Sequence, residues 1–408
     1  MIPDFLKQPS LDAIVETTPV PDEYYFSKRF KSEDSPEETL RWKVIHGDQG
    51  MAPIINRGAQ SPKYKGAGVS EILTQGAVIS EKASHKEADI NRALSKDKQK
   101  QKIAEKILLG QEEDLLNRNR LRREWMAANP IFNKGKFHYV DDDGVNFQFD
   151  YNIASELQVQ LTGNDVWLTG SERTPIADCR KMIKAIKRRS GGVVNIVFIN
   201  SETMDEKIAA DPTIQSLLQK SAFGGPGSEA ILSADPTKIL TTLFGVPFYS
   251  YDNEYPVTLY IQQRTDAATY TVNNAGLVSE GTEVIIQRVD PNQKVQEEVR
   301  TIDSINVGTN KIVLDSGTVG TYIAGRDILQ ARVPFLKKNR LVFMAEKVRN
   351  KDVMTWINSP VGLGAVRYGE RLESKENWDP DEIFSRVQNM GIWALMHSQV
   401  IGTLDIGE

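Results

Sequence analysis

Residues 96–130 read KDKQKQKIAEKILLGQEEDLLNRNRLRREWMAANP and carry the pattern of one long helix. Apolar side chains recur there at spacings near three, four and seven, with charges between them: Ile103, Ile107, Leu108, Leu115 and Trp125. Pro130 is expected to end the helix, because the residue before a proline is disfavoured in the helical conformation. A helix over 96–129 would be about 50 Å long at about 1.5 Å per residue. One rod of this length beside an extended loop is unusual for a compact enzyme domain.

The segment that precedes the helix, residues 47–84, is rich in Gly, Ala, Ser and Lys, with short β-prone runs at Val69–Leu73 and Ala77–Ile79. It carries too little apolar surface to fold alone. It is therefore either a disordered loop or an extended hairpin ordered by a neighbour, and taken alone it favours disorder. Residues 1–46 are punctuated by prolines and lack a lasting period, which predicts an arm that lies on something else.

Strand and helix signals follow the long helix. Residues 137–168 alternate like paired strands, and Asp141-Asp142-Asp143-Gly144 predicts a hairpin turn rather than a calcium loop, since no glutamate closes the spacing. An α/β block then begins. Thr174-Pro175 predicts a helix start and Gly191-Gly192 its end, with a buried strand over 193–199. Asp211-Pro212 and Asp235-Pro236 predict two more helix starts, the second followed by Ile239, Leu240, Leu243 and Phe244.

Residues 264–330 have a different texture. They contain no Phe, Trp, Met or Cys but many Val, Ile and Thr in short alternating runs, which predicts a small all-β module of about five strands. The apolar run Leu341–Ala345 resumes the α/β block, so the module is an insertion. The remaining tail, 352–408, predicts strands that close the fold.

Composition excludes several classes of protein. Lys+Arg 50 against Asp+Glu 55 gives 408 residues a net charge of -5, so gripping nucleic acid is not the main role. The single cysteine, Cys179, allows no internal disulfide and no cysteine-cluster zinc site, and is interpreted as a small core residue. No catalytic or phosphate-binding motif is present, and the four histidines lie far apart in sequence. We therefore expect no catalytic residue, no cofactor and no metal.

No secretion signal is visible, and the best membrane candidate, residues 387–404, is interrupted by polar residues. We interpret it as a packed strand. The expected protein is soluble, intracellular when made, and not bound to a membrane.

The order of these parts resembles the major capsid proteins of tailed bacteriophages, which have the HK97 fold, and in detail the lambda-type major head protein family. The stretches that carry the resemblance are Gly191–Ile199, the long helix running into Asn133–Tyr139, and Asn377-Trp378-Asp379-Pro380 before an apolar strand. It covers most of the chain apart from 264–330, and it rests on the co-linear order rather than on any single motif.

The resemblance implies an α+β HK97-like fold with an inserted small all-β module. Its parts would be an N-terminal arm, an E loop that reaches over a neighbouring subunit, a P domain with a spine helix, an axial A domain, the insertion, the A-domain return and the P-domain closing strands. The corresponding ranges are 1–46, 47–84, 85–169, 170–263, 264–330, 331–351 and 352–408.

The same resemblance implies a structural role, with self-assembly as hexamers and pentamers into an icosahedral shell around double-stranded DNA that is held without sequence-specific binding. It implies a separate scaffolding protein and a portal, with a decoration protein left open, and a virion assembled in the host cytoplasm. Eight residues are the candidate contacts between subunits: Lys63, Tyr64, Lys65, Val69, Ile72, Arg118, Arg122 and Phe223. Some capsids of this fold join a loop lysine to an asparagine of a neighbour; Lys63 or Lys65 with Asn358 would be the pair here, but no motif demands it and ordinary loop lysines are the simpler interpretation.

Two rival functions remain at this point. An encapsulin-type nanocompartment shares the fold but houses enzymes instead of a genome. An α/β enzyme with a β accessory domain, working through the loop Phe223–Gly227, belongs to another class and predicts a small oligomer.

Overall fold

The computed structural model describes residues 3, 6–47, 68–85, 87–140, 146–167, 170, 172–212, 239–243, 246–278, 282–289, 295–318, 322, 327–361, 367–378 and 381–407. The chain divides into two compact units. The larger comprises residues 1–137, 148–251 and 338–408, and the smaller comprises 138–147 and 252–337.

The α-helices of the described residues all lie in the larger unit. They are α1 (Gln8–Thr17), α2 (Tyr25–Arg29), α3 (Glu87–Ala93), α4 (Lys98–Phe132), α5 (Pro175–Ser190) and α6 (Ser201–Thr203), the last continuing as a π-helical turn over Met204–Ala209.

The strands alternate with these helices and also build the smaller unit. In chain order they are β1 (Ser32–Asp34), β2 (Thr39–His46), β3 (Gly68–Gln75), β4 (Ala77–His85), β5 (Lys136–Val140), β6 (Asn146–Asp150), β7 (Gln158–Gln160), β8 (Ile196–Ile199), β9 (Ile239–Leu243), β10 (Val246–Ser250), β11 (Glu254–Arg264), β12 (Thr269–Val272), β13 (Glu283–Val289), β14 (Val295–Asn306), β15 (Lys311–Leu314), β16 (Ile328–Pro334), β17 (Arg340–Met344), β18 (Lys347–Val348), β19 (Lys351–Asp352), β20 (Met354–Asn358), β21 (Arg371–Trp378), β22 (Asp381–Leu395) and β23 (Ile401–Asp405).

The predicted long helix is confirmed as α4, with 35 residues and a length of about 52 Å. The side chain of Asp97 caps its start by accepting from the backbone nitrogen of Gln99 at 3.0 Å. The predicted end at Pro130 is wrong, because the helix runs through this proline to Phe132. Proline removes one backbone donor, and a helix that stops within the next turn tolerates that loss.

A five-stranded sheet packs along α4, with β4, β20 and β21 grouped around the central β22 and β1 at one edge. Trp356 and Trp393 face each other across β20 and β22, with ring centroids 5.5 Å apart. The guanidinium of Arg123, on α4, lies 4.9 Å from the Trp356 ring and 5.4 Å from the Trp393 ring. This cation–π contact fixes the helix on the sheet.

A six-stranded sheet in the order β7-β23-β17-β8-β10-β9 carries α5. The signals for α5 are confirmed: Thr174 is its N-cap, and Gly191 ends it in the left-handed conformation at φ 69°. The helix predicted after Asp235-Pro236 is wrong over 239–243, which form β9 antiparallel to β10. The Thr241-Thr242 pair favours a strand, and the pairing with β10 supplies its hydrogen bonds.

The six-stranded sheet includes two strands from the ranges predicted as P domain. Residues 158–160 and 401–405 were expected in the P domain, but β7 pairs with β23 and β23 pairs with β17 in the six-stranded sheet. These pairings join segments far apart in sequence, so no local sequence pattern predicts them.

The smaller unit contains a closed barrel in the order β11-β12-β15-β14-β13-β16. Its core is formed by buried aliphatic and tyrosine side chains, including Leu259, Tyr270 and Leu329. The predicted module of about five strands over 264–330 is too narrow. The barrel has six strands, because β11 and β16 pair from Glu254–Pro334 to Tyr260–Ile328 and close it.

The N-terminal arm lies on its own chain, which corrects the expectation that it lies on something else. Leu6 and Leu11 pack in a cluster with Leu116 of α4 and Leu372 of β21. Pro9 falls in the first turn of α1, where a proline is compatible with a helix. Proline therefore starts a helix here instead of forbidding one.

Candidate assembly surface

The strands β2 and β3 form a two-stranded antiparallel hairpin with one buried and one open face. On β2, Leu40, Trp42 and Val44 alternate with exposed residues and are at most 5% exposed. On the other face of β3, Val69 is 54% exposed and Leu73 is 67% exposed. Because successive side chains of a strand point to opposite faces, the open face carries apolar groups that the described part of the subunit does not cover.

This hairpin includes the end of the segment predicted as an E loop. Residues 68–75 are ordered as β3 by pairing with β2, which lies in the range predicted as arm. After Gly76 the chain continues as β4, which pairs with β22 from Ala77–Gly391 to His85–Ile383. Disorder, the interpretation favoured on composition alone, is wrong for residues 68–84, which are ordered by pairing with β2 and β22 of the same chain rather than by a neighbour. The signal missed was the alternation of Leu40, Trp42 and Val44.

The structure places four of the predicted contact residues. Val69 lies on the open face of the hairpin, whereas Ile72 lies on the opposite face, half-buried, across from Trp42. Arg118 is exposed and forms an ion pair with Glu81 of β4 at 2.8 Å. Arg122 lies with its guanidinium 5.1 Å from the ring of Trp125. These four therefore do not form one cluster.

The other four predicted contacts lie outside the described residues: Lys63, Tyr64, Lys65 and Phe223. The predicted turn at 141–144 also lies outside them, as does the helix predicted after Asp211-Pro212, beyond residue 212. Asn358, named with Lys63 and Lys65, is described. Its amide oxygen accepts from the Trp356 indole at 2.6 Å, and its amide nitrogen donates to Asp34 at 2.7 Å.

A buried carboxylate, Glu124, ties the arm to α4. It accepts from the backbone nitrogens of Phe26 at 2.9 Å and Ser27 at 2.8 Å, at the start of α2. The hydroxyls of Ser27 and Tyr251 also donate to it, at 2.7 Å and 3.0 Å. Burial raises the pKa of Glu124, and these hydrogen bonds oppose the rise.

A second carboxylate, Glu346, binds the other end of α2. Arg29 donates to its two oxygens at 2.7 Å and 2.8 Å, and Tyr25 and Asn195 also donate to it. Burial would raise the pKa of Glu346, but the hydrogen bonds and the charge of Arg29 outweigh it and the net direction is downward. Paired fork contacts of this kind are among the stronger polar interactions in proteins.

Arg120 ties α1 to α4. Its guanidinium donates to the carbonyl oxygens of Thr18 at 2.8 Å and Val15 at 3.2 Å, at the C-terminal end of α1, and to Glu370 at 2.8 Å. A cation at this end satisfies carbonyls that the helix leaves open and complements its dipole. Together with Glu124, it makes the C-terminal half of α4 the anchor for the arm.

His85 joins the end of β4 to α4. Its Nε2 lies 2.9 Å from Glu112 Oε1 and 2.8 Å from Ser385 Oγ, and its Nδ1 lies 3.1 Å from Gln111 Oε1. Burial lowers the pKa of His85, but the hydrogen bond and charge of Glu112 reverse this and the net direction is upward. The strand that leaves the hairpin is thus held to α4 by a buried ion pair.

The described residues contain neither an exposed cysteine nor a group of metal-ligand side chains. Cys179 is 3% exposed, and burial raises the pKa of its thiol to about 12. Within the described ranges no three His, Cys, Asp or Glu side chains gather as metal ligands. Of the helices in those ranges, none has both the length and the hydropathy to span a membrane.

The chain is similar in sequence and in fold to known capsid proteins. The sequence matches the family model of phage major capsid protein E over residues 7–304. No curated protein matches it.

Among solved structures, a protein assigned as the capsid protein of an E. coli CFT073 prophage is 13% identical, with a TM-score of 0.53 over 98% of this chain and 99% of that chain. A phage-related protein of Bordetella bronchiseptica RB50 is 9% identical, with a TM-score of 0.49 over 98% and 96%. The capsid of Staphylococcus phage Andhra is 10% identical, with a TM-score of 0.42 over 94% and 84%.

The fold is the HK97-like capsid fold, as the resemblance implied. The chain belongs to the phage major capsid protein E family, and its role is that of a structural capsid protein. Membership of this family implies a subunit of the virion that assembles with copies of itself. The buried anchors around α4 then hold the subunit together, while the open face of the hairpin is the candidate surface for assembly.

Proposed function

We propose that this chain is the main shell subunit of a tailed double-stranded DNA phage head, assembling as hexamers and pentamers into a closed icosahedral shell. The observation that supports this most is the open face of the β2–β3 hairpin, on which Val69 and Leu73 are more than half exposed among polar side chains. A two-stranded hairpin is marginal alone, and covering this face with a neighbouring subunit removes apolar surface from water.

The contact is proposed to be head-to-tail around the capsomer. Hairpin residues of one copy meet a different surface on the next copy, and such heterologous contacts close into rings of five or six. Each contact is modest, and closure of the shell multiplies its effect.

The parts of the subunit take the roles that the family resemblance implies. We assign the arm to residues 1–46, the E loop to 47–84, and the P domain to 85–169 and 352–408 around α4. The A domain is assigned to 170–263 and 331–351, although the six-stranded sheet also draws in β7 and β23. The module predicted over 264–330 is the inserted barrel.

Lys63, Tyr64, Lys65, Val69 and Ile72 are proposed contacts of the hairpin side, and Phe223 of the axial side. Arg118 and Arg122 are proposed contacts of α4. Arg118 already pairs with Glu81 in the subunit, so its contribution to assembly would include orienting β4.

The proposed partners are a separate scaffolding protein, a portal and packaged double-stranded DNA, with a decoration protein as a further candidate. Assembly is assigned to the host cytoplasm. A net charge of -5 suits a container, since a strongly basic lining would retain the DNA backbone and resist its movement.

Expression of the full chain, with sedimentation and electron microscopy of the product, tests this function. Closed shells with five-fold vertices, and nucleic acid with a portal vertex in particles from a phage, are the expected result. Particles that contain a cargo enzyme and no genome would favour a nanocompartment of the encapsulin type. A small discrete oligomer under every condition would contradict both.

A further inference from the structure

The first half of α4 presents an apolar stripe on the side opposite the subunit core. Ala104 and Leu108 are buried, whereas Ile103 is 62% exposed and Ile107 is 44% exposed. With about 3.6 residues per turn, Ile103, Ile107 and Gly110 follow one line along the helix, roughly opposite the buried side. Two large aliphatic groups in adjacent turns of the helix are thus left uncovered by the described part of the subunit.

Gly110 gives this stripe a second unusual feature. It lies inside a 35-residue helix, where glycine is the poorest residue apart from proline. A methyl group added at Gly110 would meet no atom of the described chain within 4 Å. The described part of the subunit therefore gives no steric reason for glycine, but a helix that approaches closely from outside does, because interaxial distance depends on the side chains at the contact.

The charges along the stripe identify the occupant. Lysines dominate the exposed side of residues 96–106, and the next turns expose Glu113 and Asp114. Two copies of α4 laid antiparallel bring the basic segment of each against the acidic turn of the other. A surface with this property is complementary to itself, which is what a two-fold contact between identical subunits requires.

We infer that α4 packs antiparallel against α4 of a second copy across a two-fold axis. Ile107 of each copy lies over Gly110 of the other, and Lys106 faces Glu113. This contact rests on the self-assembly proposed above. It is distinct from the hairpin contact, because the same surface of both copies meets across a two-fold axis, whereas the hairpin contact is head-to-tail around the capsomer. A crossing angle between the helices limits it to about two or three turns.

Cysteine cross-linking of the full chain tests the register. Chains with Ile107→Cys and chains with Gly110→Cys are co-expressed, and the assembled product is oxidised. A covalent dimer that contains one chain of each kind is expected, and the native Cys179 does not interfere because it is 3% exposed. The matched control replaces Ile107→Cys by Lys102→Cys, on a different side of α4. No mixed dimer, or as much of it in the control, would overturn the inference.

Substitution of the stripe gives an independent test. Gly110→Leu is expected to raise the melting temperature of the unassembled subunit, since leucine forms helices better than glycine. It is also expected to raise the concentration needed for assembly by at least about tenfold, equivalent to about 1.4 kcal/mol. A more stable subunit that assembles less well is the result expected only if another helix packs closely against this glycine. Assembly at the wild-type concentration would overturn the inference.

Charge exchange completes the test. Lys106→Glu is expected to weaken assembly, and Lys106→Glu with Glu113→Lys in the same chain is expected to restore most of it. A double variant no better than the single one would contradict the pairing. Normal shells from all these variants would refute the proposed α4 contact and leave the proposed function intact. Absence of shells from the wild-type chain would refute the proposed function.

Discussion

The carboxylate of Glu124, on α4, accepts a hydrogen bond of 2.9 Å from the backbone nitrogen of Phe26, which lies 98 residues earlier in the arm. Glu124 is fully buried, and Ser27 and Tyr251 use its remaining acceptor sites. One side chain thus satisfies the open backbone donors of α2 and fixes the arm on the helix. The buried charge is stable only because each of these donors is in place.

Glu124→Gln is expected to lower the free energy of unfolding of the unassembled subunit by about 2–4 kcal/mol. The amide keeps one acceptor oxygen but turns an NH₂ group toward donors that need acceptors. Urea denaturation followed by tryptophan fluorescence measures the change. Glu113→Gln, on the exposed side of the same helix, is the matched control and should stay within about 0.5 kcal/mol of the wild type. Equal effects of the two substitutions would refute the anchor.

The ion pair of His85 with Glu112 predicts a pH dependence of stability. The pKa of His85 is raised in the folded subunit, so the folded state holds this proton more tightly than the unfolded state. Its contribution is fully present below the ordinary histidine pKa and is lost as the pH rises through the raised value, with a slope of at most about 1.4 kcal/mol per pH unit.

The unfolding free energy measured between about pH 6 and pH 9 should therefore fall in the wild type relative to His85→Gln. The glutamine variant serves as the control, because it lacks the titrating group but retains hydrogen-bonding atoms. Parallel curves for the two proteins would show that the pair contributes nothing.

The thiol of Cys179 should be inert in the folded subunit. Burial raises its pKa to about 12, so almost none of it is thiolate near neutral pH, and the thiolate is the reactive form. Labelling with a thiol reagent at about pH 8 should proceed only after denaturant is added. Rapid stoichiometric labelling of native protein would contradict the burial of this residue.

The barrel should fold without the rest of the chain. Its first and last strands pair from Glu254–Pro334 to Tyr260–Ile328, so the two ends of the segment 252–337 lie together, and it has a hydrophobic core of its own. We expect the excised segment to unfold cooperatively, with a stability of roughly 4–13 kcal/mol for its size. Circular dichroism and heteronuclear NMR spectra measure this.

Tyr270→Ala is the control for the barrel, because Tyr270 is 0% exposed and hydrogen-bonds Thr318 at 2.6 Å. This change should cost about 3–5 kcal/mol by analogy with other large aromatic truncations. An excised segment without dispersed NMR resonances would show that the barrel depends on the larger unit.

The sequence predicts those elements whose signals are local. Thr174-Pro175 and Gly191 mark both ends of α5, and periodic apolar residues mark α4, so both helices were predicted, although α4 runs past the expected end at Pro130. The strand at 239–243 was missed because a helix-start signal at Asp235-Pro236 competed with a pairing to β10 that depends on the neighbouring strand. Long-range pairing also explains why no local signal places β7 and β23 beside β17, or marks β11 and β16 as the pair that closes the barrel.

The anchors of the arm were missed for the same physical reason. Glu346 and Arg29 are separated by 317 residues, and nothing near either one marks it as buried. A weak signal was present at Arg123-Glu124, where two charged residues directly precede the buried apolar run Trp125–Ala128. The two faces of β3 could not be told apart from the sequence, because Val69 and Ile72 were both candidate contacts but lie on opposite faces of the strand.

Whether the open face of the hairpin is an assembly surface is tested most directly by comparing lysine substitutions at two valines of similar exposure. Val69 is 54% exposed on the hairpin and Val299 is 50% exposed on the barrel. Val69→Lys combined with Leu73→Lys should leave the subunit folded and abolish shells in sedimentation and electron microscopy, because a lysine ammonium cannot be buried against an apolar neighbour. Val299→Lys should assemble like the wild type. Normal shells from the hairpin variant would contradict the account.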